Sequence, residues 1–236
     1  MATELMERLT IHVLTLFPDI IDQYCRCGIV RRAIENGLVR INTMNIRDFA
    51  DDRHGTVDDT PYGGGAGMIM KADVLARSLK SVTREGEKSP VVLLTPQGKT
   101  LTQPLANEMS LWGEFTLVCG RYRGVDERFR ERYVTEELSI GDYVLSGGEP
   151  AAVVVIDAVA RLVPGVMQDF ESGCEDSFQN DLLDCPWYTR PLEFEGLTVP
   201  EVLLSGNHAN IREWRQNQAE KRTRERRPEL LRKWEK

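Results

Sequence analysis

Short apolar segments alternate with amphipathic ones along the first two-thirds of the sequence, and this alternation restricts the possible folds more than any other feature. The apolar segments predict five strands, at residues 11–17, 38–46, 91–94, 115–119 and 138–145. The amphipathic segments predict helices at residues 19–24, 29–36, 71–81, 105–111, 125–132 and 149–163. Strands that alternate with helices are typical of an α/β fold with a parallel sheet.

The alternation ends after the last of these helices, where Pro164 and Gly165 follow. Residues 167–190 are polar and acidic and lack periodicity, so they predict a linker. From about Pro200 the pattern is helical again. We therefore expect an α/β domain over residues 1–166, a linker over 167–190 and a small helical domain over 191–236.

The charge of the chain is unevenly distributed. Its net charge is −7, yet residues 207–236 carry ten Lys or Arg and five Glu, a net charge of +5. The cations of this segment suit a phosphate backbone, and Trp214 and Trp234 are candidates for stacking on bases. The interspersed glutamates keep a second interpretation open, that of a solvated amphipathic helix.

Membrane, secretion and metal-binding signals are missing from the sequence. No apolar stretch is long enough to cross a membrane and the N-terminus lacks a secretion signal, so we expect a cytoplasmic protein without membrane contact. The five cysteines are irregularly spaced and the three histidines are far apart, so neither a disulfide framework nor a metal site is expected. We expect His12 to be a packed residue of its strand.

Three of the predicted strands are each followed by a loop that contains glycine, at residues 95–98, 120–124 and 139–148. Parallel sheets bind ligands at the carboxyl ends of their strands, where glycine lets the main chain approach a ligand closely. The three loops together therefore predict one pocket. A fourth glycine-rich stretch, residues 63–67, lacks the following Lys of a phosphate-binding loop and predicts only a loop.

Two ionisable residues are candidates for chemistry. Asp176 lies in the segment without periodicity, where a solvated loop acid is the alternative interpretation. Arg161 lies on the last turn of an apolar helix, where a cation suits the negative helix end whatever its function.

Several motifs, in order along nearly the whole chain, closely resemble those of the tRNA (guanine-N1)-methyltransferase family TrmD. The long and specific SIGDYVLSGGE at residues 139–149 is the strongest of them. The others are TLFP at 15–18, PYGGGAGM at 61–68, TPQG at 95–98, CGRY at 119–122, EDSF at 175–178, LLDCPWYTRP at 182–191 and VLLSGNH at 202–208.

The resemblance implies a SPOUT fold, in which the C-terminal part of the parallel α/β sheet is threaded into a deep trefoil knot. It also implies a homodimer with active sites at the interface, and a helical C-terminal domain that holds the tRNA anticodon stem-loop. The implied reaction transfers a methyl group from S-adenosylmethionine to N1 of the guanosine at tRNA position 37, next to the anticodon, which supports reading-frame maintenance. No DNA or membrane partner is implied.

The resemblance also implies roles for individual residues. Asp176 corresponds to the catalytic aspartate and Arg161 to its assisting arginine, and magnesium is a further candidate cofactor. The residues expected to bind S-adenosylmethionine are Leu94, Thr95, Pro96, Gln97, Gly98, Gly120, Tyr122, Ser139, Ile140, Gly141, Asp142, Tyr143, Val144, Leu145, Gly147 and Gly148.

The sequence departs from the family pattern at Arg123, where the family usually has glutamate after CGRY. This reverses the charge beside the expected pocket and removes an acidic contact to the cofactor's amino group or to magnesium. Two alternative functions remain: a knotted methyltransferase with another RNA target, and a non-catalytic RNA-binding protein. The EDSF and LLDCP segments favour guanine N1 over the first, and Asp176, Arg161 and the three loops speak against the second.

Overall fold

A computed structural model of the chain describes residues 9–84, 86, 89–167 and 176–231. The chain divides into two compact units, Met1–Gln168 and Asp169–Lys236. The predicted boundaries at 166 and 190 stay predictions, and residues 168–175 of the predicted linker lie outside the described residues.

The first unit alternates strands and helices as the sequence predicts. Its strands are β1 Leu9–Thr15, β2 Val39–Asn45, β3 Asp58–Asp59, β4 Ile69–Met70, β5 Val91–Thr100, β6 Glu114–Cys119 and β7 Glu136–Ser139. Its helices are α1 Pro18–Cys25, α2 Gly28–Glu35, α3 Ala72–Lys80, α4 Gln103–Met109, α5 Glu127–Tyr133 and α6 Glu149–Ala160, and a short 3-10 helix lies at Ile46–Phe49.

Five of these strands form one sheet in the order β2-β1-β6-β5-β7, and all of its pairings are parallel. The predicted α/β fold with a parallel sheet is therefore confirmed. Because β5, β6 and β7 are neighbours, the loops that leave their carboxyl ends meet at one edge of the sheet.

Helices cover both faces of this sheet. Side chains alternate between the faces of a strand, and in β5 the alternate residues Val92 and Leu94 join one buried cluster while Val91 and Leu93 join another. The first cluster includes residues of α1, α2, α4 and α6, and the second includes residues of α3, α5 and the 3-10 helix. Burial on both faces explains why residues 91–94 of β5 are continuously apolar in sequence.

Two strand predictions need correction. The strand predicted at residues 138–145 ends at Ser139, because Gly141 turns the chain with a φ of +146°. The loop predicted at residues 95–98 lies within β5, because Lys99 and Thr100 resume pairing with Leu138 and Ser139 of β7. Leu94 also pairs with Leu138, so the four residues between 94 and 99 form a bulge.

A short pair of strands lies before α3, on either side of the glycine-rich loop at residues 63–67. Residues Asp58–Asp59 pair antiparallel with Ile69–Met70. The sequence gives no signal for this pair, since two-residue strands are too short to produce a hydrophobic period.

The second unit begins its described part at Asp176. Residues 176–190 contain no helix or strand. A short hairpin follows, formed by β8 Glu193–Phe194 and β9 Leu197–Thr198, and then the helices α7 Glu201–Leu204, α8 His208–Arg226 and α9 Pro228–Leu231. Asn207 caps α8 by accepting hydrogen bonds from the backbone N–H groups of Ala209 and Asn210. In the described part of the chain, no helix is both long and apolar enough to span a membrane.

Candidate functional site

A cavity of about 320 Å³ opens in the first unit beside the bulge of β5 and the carboxyl ends of β6 and β7. Three loops surround it: the bulge of β5, the turn after β6 and the loop between β7 and α6. The cavity is lined by Leu93, Leu94, Thr95, Pro96, Gln97, Gly120, Arg121, Tyr122, Arg123, Gly124, Val125, Glu127, Arg130, Leu138, Ser139, Ile140, Gly141, Tyr143, Val144, Leu145, Ser146, Gly147, Gly148 and Ala151. Its volume lies in the range of small-molecule sites.

Most of the residues expected to bind a cofactor line this cavity. Gly98 and Asp142 are the two that do not. Gly98 instead lies against β7: a Cβ atom at this position would be 2.3 Å from the carbonyl carbon of Glu137 and 2.3 Å from the backbone nitrogen of Leu138. Gly98 therefore allows the bulge to pass the neighbouring strand, which is a structural requirement distinct from ligand contact.

Close backbone packing joins the second and third loops. The N–H of Gly148 donates a hydrogen bond to the carbonyl oxygen of Gly120 at 2.9 Å. A Cβ atom on Gly148 would be 2.7 Å from the Cα of Cys119. Only glycine at position 148 permits this approach, so the turn after β6 and the start of α6 are held together by the main chain.

A buried polar cluster lies beside this contact. The carboxylate of Glu149 is fully buried, accepts a hydrogen bond from the Thr15 hydroxyl at 2.7 Å, and accepts another from Nε of Arg121 at 3.0 Å. Nη1 of Arg121 also donates to the carbonyl oxygen of Ser146 at 3.2 Å, and its guanidinium lies 4.4 Å from the ring centre of Phe17. The hydrogen bonds from Thr15 and Arg121 offset the free-energy cost of burying the charged Glu149 carboxylate.

A strained residue lines the cavity, and a buried thiol lies at the end of β6, just before the turn that carries this residue. Tyr122 adopts a φ of +60°, which is uncommon for a residue with a side chain and is typical of backbone held by surrounding structure. Burial raises the pKa of the Cys119 thiol well above its ordinary value. We therefore expect Cys119 to be an unreactive packing residue rather than a nucleophile.

Arg123 lines the cavity but its guanidinium binds the glycine-rich loop at residues 63–67. Nη1 of Arg123 donates to the carbonyl oxygen of Ala66 at 2.6 Å. The backbone N–H of Arg123 donates to the carbonyl oxygen of Met68 at 3.0 Å. A Cβ atom on Gly67 would be 2.9 Å from Cγ of Arg123, so this glycine leaves space for the arginine. Arg123 thus joins the turn after β6 to the glycine-rich loop at residues 63–67.

The two candidate catalytic residues belong to different units. Arg161 is the residue that caps the C-terminus of α6 in the first unit, as its position on the predicted last turn suggests. Asp176 lies in the second unit, where its backbone carbonyl oxygen accepts a hydrogen bond from the N–H of Gln179. The predicted catalytic roles of both residues stay predictions.

The described residues offer no obvious metal site. Among them, no group of three or more His, Cys, Asp or Glu side chains is placed to hold a metal ion. The four cysteines of the described ranges are all free thiols. His12 is only 7% exposed and its ring nitrogens lie within hydrogen-bonding distance of Glu114 and Asn42, so the prediction of a packed histidine is confirmed.

Sequence reasoning missed the residues that organise the cavity. Arg121 and Glu149 lie within recognised motifs, but their pairing across 28 residues has no local signal. The contact between Arg123 and Ala66 spans 57 residues, and no local sequence pattern predicts it either.

Comparison with known proteins agrees with these motifs. The family model described as tRNA (Guanine-1)-methyltransferase TrmD matches residues 9–233. A protein of Mesorhizobium japonicum named tRNA (guanine-N(1)-)-methyltransferase is 52% identical over 219 residues, which cover 93% of this chain and 94% of that protein. A protein of the same name from Pelotomaculum thermopropionicum is 54% identical over 223 residues, covering 94% of this chain and 89% of that protein. The chain therefore belongs to the TrmD family of tRNA (guanine-1)-methyltransferases.

Proposed function

We propose that the chain transfers a methyl group from S-adenosylmethionine to N1 of the guanosine at position 37 of tRNA. The match of the family model to residues 9–233 carries this proposal. The glycine-lined cavity formed by three of the family's motif loops supports it, because it supplies a site of suitable size for a small-molecule methyl donor.

The size and the lining of the cavity support the proposal of an adenosine-containing cofactor. Gly120, Gly141 and Gly147 leave main-chain N–H and C=O groups close to the cavity, where they are able to bind a base or a ribose. Leu94, Leu138, Ile140, Leu145 and Ala151 supply apolar surface around them. We therefore assign S-adenosylmethionine to the residues of these three loops. Gly98 packs against β7 and so positions the β5 bulge, and Asp142 is the neighbour in sequence of the lining residues Gly141 and Tyr143.

Two side chains carry the proposed chemistry on the RNA. S-adenosylmethionine, when bound, supplies a methyl group that is already electrophilic. N1 of guanine carries a proton at neutral pH, so the Asp176 carboxylate acts as general base and accepts this proton, which leaves an electron pair on N1. Negative charge then develops toward guanine O6, where the Arg161 guanidinium stabilises it.

The remaining features of the proposal concern the assembly. We propose that the three cavity loops form the trefoil knot of the SPOUT fold; the close passage of Gly98 by β7 and of Gly148 by β6 supports this. A homodimer with active sites at the interface is supported by the exposed apolar side chains of Tyr143 and Val144, which are 54% and 91% exposed. The guanosine leaves the stack of the anticodon loop to reach the site.

The second unit is proposed to hold the anticodon stem-loop through its basic helix α8, in a cytoplasmic enzyme. Magnesium stays a candidate cofactor through the family resemblance alone, and none of the steps above uses it.

The catalytic assignment is tested by replacing Asp176 with an isosteric amide. Asp176→Asn keeps the shape of the side chain but removes the general base, so we expect kcat to fall about 10²- to 10⁴-fold. Affinity for S-adenosylmethionine, measured by calorimetry, should stay within about twofold of wild type, because the cofactor loops belong to the other unit. Asp19→Asn on the exposed face of α1 is the matched control. Undiminished turnover of Asp176→Asn would remove Asp176 from the mechanism.

A further inference from the structure

An exposed tryptophan in the second unit is held in a fixed orientation. Trp187 is 56% exposed, which is unusual for so large an aromatic side chain. Its indole N–H donates a hydrogen bond to Oδ2 of Asp184 at 2.6 Å. The guanidinium carbon of Arg215, on α8, lies 4.3 Å from the centre of its ring.

These two contacts leave part of the ring available. Asp184 occupies the N–H edge of the indole and Arg215 covers one face. Over half of the Trp187 surface is nevertheless exposed. An exposed aromatic ring that is held by a hydrogen bond and lies against a cation is suited to a planar ligand.

The surface next to Trp187 is concave and basic. A hollow of about 400 Å³ is lined by Ser177, Leu183, Asp184, Cys185, Pro186, Trp187, Arg222 and Arg226. Nη1 of Arg222 donates to the carbonyl oxygen of Asp184 at 3.2 Å, which ties α8 to the segment that carries Trp187. The helix α8 itself carries six Lys or Arg and three Glu. An anionic partner is therefore favoured over a neutral or basic one.

We propose that Trp187 is a stacking platform for one unpaired base of the RNA substrate, with Arg222 and Arg226 directed to its phosphates. This inference rests on the proposed function, because it assumes that the partner is RNA. An aromatic face beside cations is the combination that binds single-stranded nucleic acid, since every base has a π-face and every linkage a negative charge. Trp187 is thereby a substrate-positioning residue and takes no part in proton transfer.

The first test measures the dissociation constant of the full-length protein for an unmodified anticodon stem-loop by fluorescence anisotropy. Trp187→Ala should weaken binding about 5- to 150-fold, the loss expected for one stacked base. Trp187→Phe should restore most of the affinity, because it keeps an aromatic face. Phe194→Ala is the matched control, since Phe194 is a similarly exposed aromatic residue of the same unit, and should bind as wild type does.

Salt dependence separates stacking from charge. Trp187→Ala should leave the slope of log Kd against log salt unchanged, because stacking releases no counterions. Arg226→Gln should lower the magnitude of that slope by about one phosphate contact.

A scan of abasic sites through the anticodon loop then identifies the stacked base. At one loop position the abasic RNA should bind wild type and Trp187→Ala equally well, so the two losses are not additive. The inference is overturned if Trp187→Ala binds within twofold of wild type, or if its loss is additive with every abasic site. A wild-type protein that binds the stem-loop but makes no 1-methylguanosine would instead overturn the proposed function, and the stacking test would still be decided by these dissociation constants.

Discussion

Nε of Arg121 lies 3.0 Å from a carboxylate oxygen of the fully buried Glu149, and this pair connects two of the loops that surround the cavity. Arg121 belongs to the turn after β6 and Glu149 is the first residue of α6. The Thr15 hydroxyl binds the other carboxylate oxygen, so the end of β1 is joined to the same cluster. The shape of the cavity therefore depends on this charged pair, although only Arg121, and not Glu149, lines the cavity.

We predict that Arg121→Gln lowers the free energy of unfolding by about 3 kcal/mol, because it leaves the Glu149 carboxylate buried without its cation. Urea unfolding measures this change. Arg31→Gln breaks an exposed pair with Glu35 on α2 and should cost no more than about 0.5 kcal/mol. Equal losses in the two variants would contradict the structural role of the Arg121–Glu149 pair.

Two glycines of the cavity loops should respond differently to alanine. Gly98→Ala places a Cβ atom 2.3 Å from the backbone of β7, so β5 and β7 must separate, and we expect a loss of at least about 2 kcal/mol in unfolding free energy. Gly120→Ala meets only the carbonyl oxygen of Leu94, at 3.7 Å, and should leave stability unchanged or slightly raised.

The same pair of variants tests the cofactor site. Gly120 lines the cavity, so the added methyl group of Gly120→Ala should weaken S-adenosylmethionine binding about tenfold or more in a calorimetric titration while the protein stays folded. Wild-type affinity in folded Gly120→Ala would argue that the cofactor lies elsewhere.

We predict that Arg123 and Gly67 are energetically coupled. Gly67→Ala should be more destabilising in the wild-type protein than in the Arg123→Ala background, because the new Cβ atom would lie 2.9 Å from Cγ and 3.0 Å from Cδ of Arg123. The strain of alanine at the φ of +91° is common to both backgrounds and cancels in the cycle. Urea unfolding of the four proteins should give a coupling of about 1 kcal/mol, and additivity within about 0.3 kcal/mol would show that Arg123 does not hold this loop.

The hydroxyl of Tyr24 donates a hydrogen bond to Asp157 at 2.7 Å and joins α1 to α6. Burial, together with the hydrogen bond to Asp157, raises the pKa of Tyr24 to about 12. The unfolded chain loses this proton near pH 10, so the stabilisation is complete below pH 10 and is lost as the pH rises toward 12. Absorbance titration should show one tyrosinate that forms near pH 12 and is missing in Tyr24→Phe; identical titrations would contradict the contact.

The strands of the sheet were predictable because their burial leaves a local signal. Residues 91–94 are apolar without interruption and residues 115–119 are apolar except for the buried Thr116, as expected for strands covered on both faces, and they lie in the central strands β5 and β6. The continuation of β5 to Thr100 was not predictable. Pro96 and Gly98 are typical turn residues, while the pairing that extends the strand comes from β7, about 40 residues later.

The candidate site, too, has a part that the sequence predicts and a part that it does not. The glycines of the three loops stand out in the sequence, and most of the residues expected around a pocket do line one cavity. The interactions that shape it are non-local, as in the pairs Arg121–Glu149 and Arg123–Ala66. Local periodicity carries no information about such pairs, so only the folded chain reveals them.

The central claim is tested most directly by methyl transfer from labelled S-adenosylmethionine to an unmodified tRNA with guanosine at position 37. A second tRNA that differs only by adenosine at this position is the control, and digestion to nucleosides identifies the product. We predict 1-methylguanosine with the first tRNA and no labelled nucleoside with the second. Label in another nucleoside would indicate a different RNA target, and no transfer despite cofactor binding would contradict the assigned activity.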